Sequence, residues 1–300
     1  YFTTGQGAGL STKDDQVRRI RSVFAVHLKR TALEIKSSEL QLSIDKHGAK
    51  VSAARAAGYL TPVLHWAKRR DLIIGEFNLE KPLQNAPRQK VLTEVELAAL
   101  LPTFKSHHGV CAKFMLLTGA RITETTAATW SQIDLEAMTW TIPPENLKDT
   151  RALQARRHRP KQALIIPLSR QAIRLLIDAR EVETERRQLN GISENVIGKD
   201  LLFVGPRGAK LGNWDRWLKA TTAKTGITGW SAHALRRTTA TLVGDLGAPP
   251  HVVSVILGHS NVGGQLVAGY NQSTYGSEHQ KILQDVADKL GAIESGANNG

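Results

Sequence analysis

Apolar positions recur mostly three and four residues apart, the spacing of one helix face. Val17, Ile20, Val23, Phe24, Val26 and Leu28 form a rough stripe between basic residues. Ser37-Ser38-Glu39 leads into Leu40, Leu42 and Ile44 and predicts a second helix that ends between Lys46 and Gly48. A third is predicted over 50–70, where Ala53, Ala54, Ala57, Leu60, Val63, Leu64 and Ala67 keep the helical spacing. Pro62 predicts a break in it, because proline has no N–H and its ring clashes with the carbonyl four residues back. These helices make a small domain over 12–80. Residues 81–90 hold two prolines, polar amides and three cations, and read as a linker.

A second region runs over 91–290. Thr93 with Glu96 is a capping box ahead of an apolar helix. Residues 109–118 predict another, broken by Thr118-Gly-Ala-Arg121, and Thr123 restarts a helix towards Trp130. The period then changes to two: Met138, Trp140 and Ile142 alternate with Thr139 and Thr141, and Leu164-Ile-Ile-Pro-Leu168 is the partner strand. Between the strands, Lys148 to Lys161 carries six cations against one anion. Ser169 opens a long helix to about Asn190, and Leu201 to Val204 is a short strand. Helices follow at Trp214 to Thr222, at His233 to Leu246, and between Pro249-Pro250 and Gly258. The last helix carries Ile282, Leu283, Val286 and Leu290, a stripe that suits docking on a neighbour and packing on its own domain equally. Residues 291–300 read as a disordered tail. The fold class is mainly α with a small antiparallel β-sheet (α+β), in two domains.

Composition adds partners. The apolar fraction of 41% supports packed cores, and the net charge of +13 points to a polyanion, nucleic acid first and an acidic membrane surface second. No apolar run approaches the length of a transmembrane helix, and no signal peptide is expected. The start at Tyr1 leaves room for an upstream piece. The single cysteine, Cys111, allows neither an internal disulfide nor a cysteine zinc site, and its apolar neighbours make it a buried helix residue. That fits a reducing, cytoplasmic setting.

Chemistry concentrates between Ser231-Ala-His-Ala-Leu-Arg-Arg237 and Tyr270. His233 and Arg236 share a helix face and offer a proton-transfer group and a cation to one anion. Phosphate is the obvious anion for so basic a chain, and Tyr270 nearby is a candidate nucleophile. Lys68-Arg69-Arg70 reads either as a solvated helix end or as a phosphate contact. The remaining histidines show no metal-ligand pattern, and no carboxylate cluster stands out, so no metal or cofactor is expected. Trp214, Trp217 and Trp230 read as core rather than as DNA contacts.

Four blocks, Leu117-Thr-Gly-Ala-Arg-Ile-Thr-Glu124, Ser231-Ala-His-Ala-Leu-Arg-Arg237, Leu257-Gly-His-Ser260 and Tyr270, together resemble the tyrosine recombinase, or phage integrase, family over residues 12–290. The details are nearest to genomic-island and temperate-phage integrases. The resemblance implies site-specific DNA strand exchange without metal or ATP, through a 3′-phosphotyrosyl link. Its catalytic set would be Arg121, Lys148, His233, Arg236, His259 and Tyr270. Arg121 and Arg236 would clamp the nonbridging phosphate oxygens. His233 would serve as base or hydrogen-bond partner, His259 would donate to a phosphate oxygen, and Lys148 would protonate the leaving 5′-oxygen. Lys161 is the alternative lysine and Tyr275 the alternative nucleophile, while Glu124 is placed to orient Arg121.

The resemblance further implies a core-type DNA-binding domain (12–80) and a catalytic domain (91–290) closing as a clamp on double-stranded DNA. The protein would be a monomer when free and a homotetramer on paired sites, with accessory DNA-bending proteins, in the prokaryotic cytoplasm and associated with the nucleoid. An additional N-terminal arm-binding domain, frequent in such integrases, is not visible. A type IB topoisomerase-like relaxing enzyme and a catalytically inactive DNA-binding protein of the same fold are the alternatives.

Overall fold

The computed structural model describes residues 1–10, 12–82, 89–147, 163–189, 201–205, 209–258 and 275–298. The chain divides into two compact units, Tyr1–Pro87 and Arg88–Gly300.

The first unit is helical. Helices α1 (Lys13–Val23), α2 (Ser37–Lys46) and α3 (Lys50–Lys68) enclose a core of Val23, Phe24, Leu40, Ile44, Ala53, Ala56, Ala57, Ile73 and Phe77. The alanine face of α3 lets α1 pack close against it. The break predicted at Pro62 does not occur, since α3 is continuous through it. The buried face Ala53, Ala54, Ala56 and Ala57 lies in the preceding turns, and burial there outweighs the loss of one backbone hydrogen bond. At the end of α3, Lys68 pairs with Glu76 and the Arg70 guanidinium lies 4.5 Å from the centre of the Trp66 ring.

The second unit begins where Thr93 caps α4 (Glu94–Leu100). Its hydroxyl accepts from the Glu96 N–H at 3.2 Å, and Glu96 returns a bond to the Thr93 N–H at 3.0 Å, which is the capping box read from the sequence. Helix α5 (His107–Thr118) is buried along most of its length. Gly109 lets it turn in tightly, because a Cβ there would stand 2.5 Å from the Phe104 backbone. The restart after Arg121 is shorter than predicted. Helix α6 (Ile122–Thr125) is a single turn, and Trp130–Gln132 is a separate 3-10 turn.

The sheet is antiparallel, in the order β1 (Ile133–Asp134), β2 (Thr139–Ile142), β3 (Leu164–Pro167). Trp140 faces Ile166, and both side chains enter the core. The two-residue β1 was not foreseen. The predicted strand 201–204 exists only as bridges, Thr129 to Leu201 and Val204 to Lys210.

Helices α7 (Arg170–Leu189), α8 (Trp214–Thr225), α9 (Ala232–Asp245), α10 (Pro250–Ile256) and α11 (Tyr275–Asn298) complete the unit. Trp217 and Trp230 pack with Phe104 at the core edge, as the core reading of the tryptophans has it. Cys111 is fully buried, and burial pushes its thiol well above the ordinary range.

Where the sequence predicts a disordered tail, α11 continues through Asn298, and residues 299–300 lie outside the described residues. Its stripe is covered within its own unit, with Leu283, Val286, Ala287 and Leu290 in the core. Lys113 holds Glu294 at 2.6 Å and Lys289 holds Glu94 at 2.7 Å, so ion pairs carry the helix past the residues where its composition turns to glycine.

Candidate active site

The site grows from the end of α5. Gly119 takes the left-handed conformation, φ +67°, and stops the helix. A Cβ at Gly119 would lie 3.1 Å from Leu257 Cδ2 and 3.3 Å from Thr239 Cγ2, so both conformation and space demand glycine. Two residues later Arg121 is the N-cap of α6 and Glu124 its third residue. Glu124 is fully buried and uses both oxygens. One accepts the Arg121 backbone N–H at 2.9 Å, and the other accepts Arg121 Nη1 at 2.7 Å. A buried carboxylate bonded at both oxygens fixes the guanidinium by its base. The Arg121 side chain remains about a quarter exposed, with relative accessibility of 24%.

Helix α9 supplies the second guanidinium. Ser231 caps it by accepting the Ala234 N–H at 3.3 Å. The Thr239 hydroxyl donates to the Leu116 carbonyl at 2.8 Å and pins α9 against α5. Arg236 is buried, at 4% accessibility. Its Nη1 donates to the Gly119 carbonyl at 2.7 Å across 117 residues of sequence, and its Nη2 donates to the Leu257 carbonyl. Burial, then the charge of Arg121, pull the Arg236 pKa down to about 10, while Glu124 acts in the opposite sense. The two guanidinium groups therefore sense each other. An anion between them would relieve that repulsion. His233 lies one turn before Arg236, in the first turn of α9, and is exposed.

Leu257, the second carbonyl that Arg236 holds, closes α10. Gly258 follows in a left-handed conformation, φ +60°, where a Cβ would stand 2.6 Å from Leu164 Cδ2 of β3. Arg236 thus joins the block containing Arg121 to the block that leads to His259.

Of the residues singled out in the sequence, Arg121, His233 and Arg236 are described, and Arg121 and Arg236 come together. Lys148, its alternative Lys161, His259 and Tyr270 lie outside the described residues. Tyr275 is described only as the backbone position that opens α11. Sequence reasoning missed the acceptors of Arg236. They are main-chain carbonyls, and the only hints are the glycines there: Gly119 is itself one acceptor, and Gly258 follows the other, Leu257. Among the described residues, no group of histidine, cysteine, aspartate and glutamate could hold a metal ion.

Comparison with known proteins decides the kinship, because residues 90–276 match the phage integrase family. The chain belongs to that family. Among curated proteins, the chain resembles prophage integrase IntA of Escherichia coli (strain K12), 24% identical over 92% of the chain and 64% of that protein. It also resembles the tyrosine recombinase XerD of Bifidobacterium longum (strain NCC 2705), 31% identical over 50% of the chain and 45% of that protein. The chain spans less than two thirds of the length of these relatives.

Solved structures share the fold, two of them as follows. The Tn1549 transposon integrase in complex with circular intermediate DNA superposes with a TM-score of 0.61 at 18% identity, over 91% of this chain and 94% of that one. A lambda integrase dimer bound to a COC′ core site superposes with a TM-score of 0.62 at 14% identity, over 93% and 91%. The mainly helical fold with one small antiparallel sheet is that of these integrases. Among the described residues no helix is long and apolar enough to cross a membrane.

Proposed function

We propose that this phage integrase is a site-specific DNA recombinase that cleaves and rejoins duplex DNA through a 3′-phosphotyrosyl intermediate. The observation that supports it most is the Arg236 hydrogen bond to the Gly119 carbonyl, two residues before Arg121, in a chain of net charge +13. Transesterification at phosphorus builds negative charge on the nonbridging oxygens. Two prepositioned guanidinium groups stabilise that charge without reorganising.

In this reading the Tyr270 oxygen attacks phosphorus, and the bond from phosphorus to the 5′-oxygen breaks. Lys148 gives the leaving oxygen its proton. His233 takes the proton that the Tyr270 phenol gives up, and His259 donates a hydrogen bond to a phosphate oxygen. The free 5′-hydroxyl, or that of a partner strand, reverses the step, so no external energy source enters. The helical unit serves as the core-type DNA-binding domain and the second unit as the catalytic domain.

Double-stranded DNA is the substrate, and the working form is a multimer on paired sites. A lambda integrase tetramer bound to a Holliday junction, of the same fold at a TM-score of 0.61, supports that assembly. Binding through phosphates would weaken steeply with salt. The chain would act in the cytoplasm, on DNA of the nucleoid.

The test is to trap the covalent complex on a nicked suicide substrate and to map the attached peptide. The expected peptide carries Tyr270, and Tyr270→Phe abolishes the complex. Attachment at Tyr275, or cleavage that a chelator stops, would overturn the assignment. Lys148→Ala should be rescued by a 5′-thio leaving group, and Lys161→Ala should not need it.

A further inference from the structure

One buried contact that the catalytic scheme leaves unused is made by the residue two places after Arg236. Thr238 is buried at 1% accessibility on α9. Its hydroxyl donates to the Ala234 carbonyl at 2.9 Å within the helix. The same oxygen accepts the backbone N–H of Leu92 at 2.9 Å, across 146 residues of sequence. Leu92 lies at the entrance of the second unit, and its own side chain is buried at 4% accessibility. On either side the chain is held again, by the ion pair of Lys90 with Glu96 and by the Thr93 cap of α4.

A buried hydroxyl that donates one hydrogen bond and accepts another is held in one orientation. From this we infer that Thr238 is a positioning residue for the strand-exchange reaction. It ties the chain entering the catalytic unit to the helix that carries His233 and Arg236, and thereby sets where the Arg236 guanidinium stands.

Three observations carry this. The bond joins the entrance of the unit directly to α9, with no intervening side chain. Arg236 holds the Gly119 and Leu257 carbonyls, so a shift of α9 along its axis moves both neighbouring blocks. Thr239, the next residue, fixes the α5 side of the helix through the Leu116 carbonyl. Thr238 and Thr239 together fix α9 from two directions, and Thr238 is the one that answers to the entering chain. A pull on that chain reaches Arg236 two residues away.

The inference rests on the reaction proposed above, and its test separates the two. The full chain is compared as wild type, Thr238→Val and Thr238→Ser on the same suicide substrate. DNA affinity, the single-turnover rate of covalent-complex formation and hydrogen exchange of the Leu92 amide are measured. Valine keeps the shape and removes the hydroxyl, whereas serine keeps the hydroxyl.

The expected result is a rate lowered about tenfold or more by Thr238→Val, because small misplacements of a catalytic group are costly, with DNA affinity within about twofold. Leu92 exchange should rise in the same variant. Thr238→Ser should restore both rate and protection. Thr238→Ala carries the same comparison if the valine variant does not fold. The inference is overturned if Thr238→Val cleaves at the wild-type rate while Leu92 exchanges faster. It is equally overturned if rate and affinity fall together and serine restores neither. A wild-type chain that forms no covalent complex overturns the proposed reaction instead.

Discussion

Two helices of this molecule begin with the same device and put it to different uses. In α2 the third residue, Glu39, accepts the backbone N–H of the N-cap residue Lys36 at 2.9 Å and pairs with Arg30 at 2.7 Å. In α6 the third residue, Glu124, accepts the backbone N–H of the N-cap residue Arg121 at 2.9 Å and pairs with the Arg121 side chain at 2.7 Å. The bond lengths match, and burial separates the two. Glu39 and Arg30 are each about 35% exposed, whereas the Glu124 side chain is at 0%. On the surface the pair trims a helix end and competes with water. Buried, it leaves the guanidinium almost no freedom and becomes the foundation of a site.

The comparison breaks most sharply at Arg236. Arg236→Ala should lower covalent-complex formation by on the order of 10²–10³-fold, measured in single turnover. It also leaves the Gly119 and Leu257 carbonyls without their donor. Next comes Glu124→Ala, which strips a buried partner from Arg121. It should destabilise the second unit by about 1–3 kcal/mol in denaturant titration, the scale of a lost buried hydrogen-bonding group. It should slow cleavage more than it weakens DNA binding, and equal losses of the two would contradict the foundation role. Gly119→Ala should cost about 1–2 kcal/mol from the left-handed backbone alone, and its cleavage rate should fall as Leu257 and Thr239 are displaced.

The smallest effect belongs to the surface pair. Glu39→Gln should lower the thermal midpoint only slightly at neutral pH, because the pair is exposed. The small gap should close in acid. Arg30 beside it, helped by the Lys36 N–H, holds the Glu39 carboxyl down to about 2 from its ordinary 4.5. A folded value below the unfolded one gives stabilisation that is present above about pH 4.5 and lost as pH falls towards 2. Wild type and Glu39→Gln should therefore converge in stability across that window, read by circular dichroism. A constant gap down to pH 2 would mean that the pair carries no such linkage.

Much of the fold was legible because local signals and packing agreed. The Thr93 capping box, the alternation of Trp140 and Ile142 and the helical face of α3 each appear where the pattern puts them. The misreadings share a cause. Pro62 and the glycine-rich end of α11 are local signals that burial and long-range ion pairs outweigh. The two-residue β1 carries too little pattern to show, since its pairing is decided by Trp140 across the sheet.

At the site, Arg121, Glu124, His233 and Arg236 were legible as side chains in motifs. The main-chain anchors were not. Arg236 finds main-chain carbonyls, and Thr238 finds a main-chain N–H, and every residue type but proline offers such partners alike.

One buried atom offers a different kind of use. The chain has a single sulfhydryl, on Cys111, sealed within α5, and burial disfavours its reactive thiolate. A maleimide dye should therefore leave the native protein unlabelled and react only when the second unit opens. The natural sequence thus carries its own stopwatch for breathing of that unit. It also leaves the surface clear for one engineered cysteine to be tagged without a competing reaction.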